Sequence, residues 1–102
     1  MSSDEFVGYV GHPDFHDGTV MYVGSTSDGV VVDIDGASGQ KFIVEFCGVT
    51  DMRSNHAEVM MLYGLVEMRT PRGTKRFVFA NWDEESNAYL EVEAEGISVR
   101  KV

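Results

Sequence analysis

Cysteine is nearly absent from this chain. The single residue Cys47 rules out an internal disulfide, so no covalent staple holds the fold. Set in the apolar run "KFIVEFCGV", it reads as a small buried hydrophobe and not as a nucleophile; a chain without disulfides fits a reducing compartment. Bases are scarce as well, 8 Lys and Arg against 17 Asp and Glu, for a formal net charge of −9. Phosphate backbones repel such a chain unless its few cations cluster, which argues against nucleic acid as a partner. Four of the bases do cluster, at Arg69, Arg72, Lys75 and Arg76. On a Pro- and Gly-bearing turn they read first as a solvated hairpin tip and second as a contact for a small anion or an acidic peptide. No stretch approaches the about 18 uninterrupted apolar residues of a membrane helix. The opening "MSSDEFVGYV" has neither a basic segment nor a long apolar one, so no secretory signal is expected and the cytoplasm is the expected location. There is no repeat, linker or low-complexity tract, and no G-x-S-x-G, phosphate-binding glycine loop or Cys/His pairing.

What the chain does have is strand, turn, strand. At 102 residues, with 43% apolar and 25% charged residues, it reads as one globular domain. A chain of this length buries about two-thirds of its unfolded surface, enough for a modest core. After an N-terminal lead-in over residues 1–14, "GTVMYVGS" and "VVVDID" flank a turn signalled by Asp28-Gly29. "KFIVEF" alternates Phe42, Val44 and Phe46 with Lys41, Ile43 and Glu45, as a half-buried strand does; "GVTDM" extends it past a bulge at Gly48, and "RSNHAE" is a loop. "VMMLYGLVEMRT" is ambiguous between helix and strand. It lacks a polar face at helical spacing, carries Gly64 at its centre and leads through "TPRGTK" into the β-run "RFVFANW", so a β-hairpin is expected. "AYLEVEAEG" puts Leu90, Val92 and Ala94 on one face and Tyr89, Glu91, Glu93 and Glu95 on the other, and "ISVRKV" closes the chain. The expectation is an all-β fold, an antiparallel meander of about seven strands closed as a small barrel or sandwich. The register of the last hairpin stays open. An even spacing sets Phe77 and Phe79 beside Leu90 and Val92; an odd one sets them beside Tyr89, Glu91 and Glu93.

Two of these strands are apolar on both faces. Residues 59–66 are apolar at every position but Gly64, and in "RFVFANW" Phe77 and Phe79 point one way while Val78, Ala80 and Trp82 point the other. Such strands lie between two layers or meet a partner. Met52, Met60, Met61 and Met68 add pliable side chains to the region. From this surplus the expected role is a non-enzymatic binding or interaction protein that self-associates as a homo-oligomer. Met60, Leu62, Tyr63, Phe77, Phe79 and Trp82 are the interface candidates, and the acidic strand around Glu91 and Glu93 forms a polar rim. Trp82 itself reads as a core anchor. The net charge makes a basic protein a second candidate partner.

One segment, "HPDFHDGTV", carries residues that could do chemistry. His12, His16 and Asp17, joined by His56 from a distant loop, are the candidate metal ligands, and a small metal-binding protein or metal-dependent hydrolase is the alternative role. A catalytic metal needs three convergent donors and an open position. His12 and His16 stand four apart, but Pro13, the Asp residues and Gly18 make the segment a loop. The structural reading is a turn at Asp17-Gly18 leading into the first strand. Phe15 is then buried, and His16 and Asp17 bond nearby backbone groups. No cofactor is called for.

The residues Phe15-His16-Asp17-Gly18 resemble the "FHDG" opening of a group of small uncharacterised bacterial all-β proteins. The likeness runs on through Met60-Met61-Leu62-Tyr63-Gly64, then Phe79-Ala80-Asn81-Trp82-Asp83-Glu84-Glu85, then Leu90-Glu91-Val92, so it covers much of the chain from residue 15 onward. It implies a β-fold and a bacterial cytosolic setting, and implies no activity. The Phe-His-Asp opening is also faintly similar to that of contact-toxin immunity proteins, for which an acidic chain would be steered to a basic toxin.

Overall fold

Alternation of large apolar residues decides the layers. A computed structural model describes residues 4–27, 29–83 and 85–102. Among the described residues are nine strands: β1 (Glu5–Tyr9), β2 (Thr19–Thr26), β3 (Gly29–Asp35), β4 (Lys41–Cys47), β5 (Asp51–Asn55), β6 (Leu62–Arg69), β7 (Lys75–Asn81), β8 (Tyr89–Ala94) and β9 (Gly96–Lys101), with a 3-10 turn at Pro13–Phe15 before β2. They form two antiparallel sheets, ordered β1-β6-β7-β8-β5 and β2-β3-β4-β9. The fold is all-β, as expected, but it is a two-sheet sandwich and not a closed barrel. Nor is it a simple meander: β1 docks beside β6, β5 beside β8 and β9 beside β4.

The two strands beyond the expected seven are β1, inside the supposed lead-in, and β5, formed by residues read as a strand extension and a loop. Both are edges of the five-stranded sheet. An edge strand has one neighbour, so it needs less apolar alternation than a central one, and polar residues there are tolerated. The sequence of β5, "DMRSN", is nearly all polar. Gly48, with φ 62°, is where the chain leaves the four-stranded sheet, and β8 returns to that sheet as β9 beside it, the Glu95 N–H donating to the Cys47 carbonyl at 3.0 Å. Of the Asp28-Gly29 turn signal, Gly29 pairs with Thr26 at the start of β3, while Asp28 lies outside the described residues.

The facing sides of the sheets make one core. Val30, Val32, Ile34, Phe42, Val44 and Phe46 come from the four-stranded sheet and Leu62, Leu65, Phe77, Phe79, Leu90 and Val92 from the other, all buried. Phe46 bridges the layers, its ring centroid 5.3 Å from that of Phe77 and 5.9 Å from that of Phe79. Phe77 pairs with Val92 and Phe79 with Leu90, which is the even register. Burying each such side chain contributes about 2 kcal/mol. The alternation that buries Phe42, Val44 and Phe46 also turns Cys47 outward, so it is exposed and not the buried hydrophobe expected. Segment 59–66 is not helical, and its strand begins only at Leu62, Val59 and Met60 lying in the turn before it.

On the outer face of the five-stranded sheet, Glu93 is 5% exposed and sits across from Arg76. The hairpin tip folds over it. Arg72 Nη2 donates to both carboxylate oxygens, at 2.8 and 2.9 Å, Thr74 Oγ1 donates at 3.1 Å, Arg76 Nη2 at 3.2 Å and Thr50 Oγ1 at 3.2 Å. Arg76 Nη1 also donates to Asp4 at 2.8 Å, which ties down the segment leading into β1. Half of the basic cluster is thus engaged inside the molecule, against the expectation of a purely solvated tip.

The Arg72 hydrogen bonds hold the Glu93 carboxyl down at about 2, from an ordinary 4.5, against the opposing effect of burial and with help from Thr74 and Arg76. A carboxyl whose folded-state value is depressed stabilises the fold fully above its unfolded value. That contribution is lost as pH falls from about 4.5 through about 2. Glu93→Gln is expected to cost about 2–3 kcal/mol at neutral pH, because it leaves the partly buried Arg76 guanidinium and the Thr50 and Thr74 hydroxyls poorly paired. It is also expected to flatten the fall in stability across that acid window, read by denaturant melts at a series of pH values. An unchanged acid slope would show that Glu93 does not carry it.

Candidate functional site

The two sheets are stitched together at one corner. The 3-10 turn is set by its own side chains: His12 Nδ1 accepts from the Asp14 N–H at 3.0 Å as an N-cap, and Pro13 follows in the first turn. Phe15 is 1% exposed and meets Phe42 edge-on at 5.1 Å, while the His12 ring lies 4.8 Å from the same Phe42. Asp14 accepts from Ser38 N–H at 3.1 Å and Ser38 Oγ at 2.7 Å, locking the turn to the β3–β4 connection. Asp17 then takes φ 68°, and the chain exchanges backbone bonds with the segment before β6. Asp17 N–H donates to Leu62 O at 2.9 Å, Leu62 N–H to Gly18 O at 2.7 Å, and Val20 N–H to Met60 O at 2.9 Å.

This stitching brings His16 and Asp17 beside Tyr63 of β6 and Trp82, just past β7. His16 Nδ1 lies 2.7 Å from the Tyr63 carbonyl oxygen, so Nδ1 carries the proton and donates. Trp82 Nε1 donates to Asp17 Oδ1 at 2.7 Å. Tyr63 and Trp82 meet edge-on at 4.9 Å, and the His16 ring lies 5.1 Å from Tyr63 and 5.4 Å from Trp82. The row continues to Tyr9 at 6.3 Å from Tyr63, and to Phe6 at 5.7 Å from Tyr9. Gly64 makes room for it, since a Cβ there would stand 3.1 Å from the Tyr9 ring. All four carbocyclic rings are substantially exposed, from 40% at Tyr63 to 61% at Tyr9.

Two hollows flank this ridge. A groove of about 940 Å³ includes Trp82 in its lining, together with Met52, His56, Glu58, Val59 and Asp83. A smaller cleft of about 280 Å³ has Tyr9, His12, Phe15, His16 and Tyr63 along its walls. Val59, at the lip of the groove, holds φ 64° and is 76% exposed. A β-branched residue in the left-handed region is strained, and here the strain displays an apolar side chain to water.

The sequence-derived candidates divide. Met60, Leu62, Phe77 and Phe79 are at most 4% exposed and fill the core, because they face the second sheet; they are not available as an interface. Tyr63 and Trp82 are at the surface, at 40% and 42%, so Trp82 is not the core anchor that its apolar neighbours suggested. Of the metal candidates, His16 and Asp17 are adjacent, Nε2 to Oδ1 4.0 Å, but His12 spends its Nδ1 on the turn and His56 lines the groove. Among the described residues no three His, Cys, Asp or Glu side chains converge as a metal site. Phe6 and Tyr9 were missed, since they lie in the supposed lead-in. The signal was there in "EFVGY", an apolar run with aromatic residues three apart.

Replacing Val59 with glycine removes the cost of the left-handed conformation. Val59→Gly is expected to raise the unfolding free energy by about 1 kcal/mol, read from the denaturant midpoint. A lowered midpoint would mean that the valine side chain contributes more through contacts than its backbone costs.

Compared with protein-family models, with curated proteins and with solved structures, the chain matches none.

Proposed function

We propose that this is a non-enzymatic interaction protein that self-associates, two copies meeting across β1 and the adjoining outer face of the five-stranded sheet. The observation that carries this reading is β1 itself. Phe6, Val7 and Tyr9 are 59%, 50% and 61% exposed, Phe6 and Tyr9 on the outer face and Val7 at a bulge in the ladder, and among the described residues the strand pairs only with β6. Among the described residues no second strand covers its outer edge, and its large apolar side chains are open to water. An exposed apolar edge is a standing invitation to strand pairing.

The other three edges are guarded. β5 carries Asp51, Arg53, Ser54 and Asn55. The edge of β2 is covered by the turn before β6: the Val59 N–H donates to Val20 O at 2.6 Å, and Glu58 Oε2 accepts from the Val23 N–H at 3.2 Å. β9 ends in Arg100 and Lys101. Against that background the bare β1 edge stands out, and pairing with its two-fold mate would satisfy its backbone. It would also set Phe6 and Tyr9 of both copies side by side, on an outer face that Met68, Val66 and Val78 continue within each copy, since Phe6 pairs with Met68, Tyr9 with Val66, and Val66 with Val78. Binding fits the polar groups of the corner better than catalysis does. His12, Asp17 and the Nδ1 of His16 are committed to hydrogen bonds that hold the structure.

Sedimentation velocity over a wide concentration range tests this. The wild type is expected to run at twice the chain mass, and Val7→Lys to weaken association by at least about tenfold. At a concentration where both chains are monomeric the melting curves should coincide, because Val7 is exposed, and where the wild type is dimeric it should melt higher. A wild type that stays monomeric at every concentration, or a Val7→Lys chain that associates as well, would contradict it.

A further inference from the structure

The groove beside Trp82 lies off the β1 edge, and its chemistry points to a different occupant. We infer that it receives a basic polypeptide segment from another protein, with an Arg or Lys side chain seated against the Trp82 indole and neutralised by Glu58 and Asp83.

Charge complementarity carries the choice of partner. The groove wall holds two carboxylates, Glu58 and Asp83, one histidine, His56, and no Lys or Arg. Each carboxylate has one oxygen engaged by a backbone N–H, Val23 to Glu58 at 3.2 Å and Glu85 to Asp83 at 3.0 Å. Those neutral donors orient the acids without cancelling their charge, and among the described residues neither acid forms an ion pair. Asp17, one hydrogen bond behind Trp82, adds a third carboxylate. Five of the eight bases are paired with acids elsewhere: Lys41 with Asp35, Arg53 with Asp51, Arg72 and Arg76 with Glu93, Arg100 with Glu45. The groove is thus a place where the acidic surplus of a −9 chain meets apolar surface with no base in the wall. A guanidinium or ammonium beside an indole gains a cation–π attraction that an anion or a neutral chain would not.

The walls also suit a peptide. The indole edge is fixed by Asp17, and His16 and Tyr63 support Trp82 from outside the groove. That preorganises the platform before any partner arrives. Val59, Met61 and Trp82 offer apolar surface at 76%, 53% and 42% exposure, and Met61 can repack around a side chain. A volume of about 940 Å³ accommodates several residues of an extended chain.

The test uses a fluorescein-labelled oligoarginine peptide, an oligoglutamate peptide of equal length, and the single tryptophan as a built-in reporter. Saturable anisotropy with oligoarginine, a matching shift in Trp82 emission and no response to oligoglutamate are expected. The double variant Glu58→Gln/Asp83→Asn should weaken binding about tenfold. The charge-matched double variant Asp33→Asn/Glu45→Gln on the four-stranded sheet should weaken it less than about twofold. Absence of saturation, binding without a Trp82 response, or equal loss in both double variants would overturn the inference, the last assigning the effect to net charge alone. Open-ended assembly of the protein by itself, abolished by Lys75→Glu, would overturn it too, giving the groove to the hairpin tip of a second copy. The peptide outcomes do not bear on the β1 edge, and sedimentation of Val7→Lys beside Lys75→Glu tells a closed β1 dimer from open-ended assembly through the groove.

Discussion

The backbone exchange between residues 17–20 and 59–62 is the constraint on which the surface chemistry of this protein rests. Two sheets packed face to face share a core, but nothing in core packing alone fixes how a loop of one sheet meets a strand end of the other. Here the N–H groups of Asp17, Val20 and Leu62 cross that gap at 2.7–2.9 Å. They lie at the only place where a bridge pairs the sheets, Thr19 with Met61, among the described residues. Backbone groups are obligatory hydrogen-bonding partners, so the stitch is costly to open once water is excluded. The arrangement of the aromatic corner follows from it. His16 and Asp17 reach Tyr63 and Trp82, the indole is oriented by a carboxylate, and the turn at Val59 is forced into the left-handed region.

That arrangement divides labour between the two faces of each strand. Inward positions of β6, β7 and β8 are spent on the core. Outward ones carry an ionic cluster around Glu93 at one end and an aromatic ridge at the other. Arg72 and Arg76, half of a basic cluster in a chain poor in bases, are used up on one buried carboxylate. The groove at the far end of the same hairpin has two carboxylates and no Lys or Arg in its wall. An apolar edge at β1 and an acidic groove at Trp82 are distinct surfaces, and the partners we propose for them differ: a second copy for the first, a basic segment for the second.

Much of the fold could be read from the sequence, because central strands must satisfy two neighbours and a core at once. "KFIVEF" and "AYLEVEAEG" show that pressure as strict alternation, and both proved to be strands with the expected faces inward. Edge strands are under weaker pressure, which is why β1 and the polar β5 went unread. The site was less legible still. Apolar residues at 60, 62, 77 and 79 could mark either a core or an interface, and only the second sheet, invisible in local pattern, decides that they are core. His12, His16 and Asp17 suggested a metal by residue type. Their roles as cap, support and anchor depend on Asp14, Tyr63 and Trp82, partners two to sixty-five positions away. The stretches around residues 15–18, 60–64 and 79–83 do meet in space at this corner, a juxtaposition that their order along the chain does not reveal.

Native-state hydrogen exchange at the amides of Asp17, Val20 and Leu62 tests the stitch most directly. If it is an integral part of the fold, these three exchange only through global unfolding, with the same free energy and the same denaturant dependence as amides in the central strands β3 and β7. Exchange by a local opening insensitive to denaturant, well below the global free energy, would contradict the account. The corner would then be a frayed contact, unable to hold Trp82 and its neighbours in one arrangement.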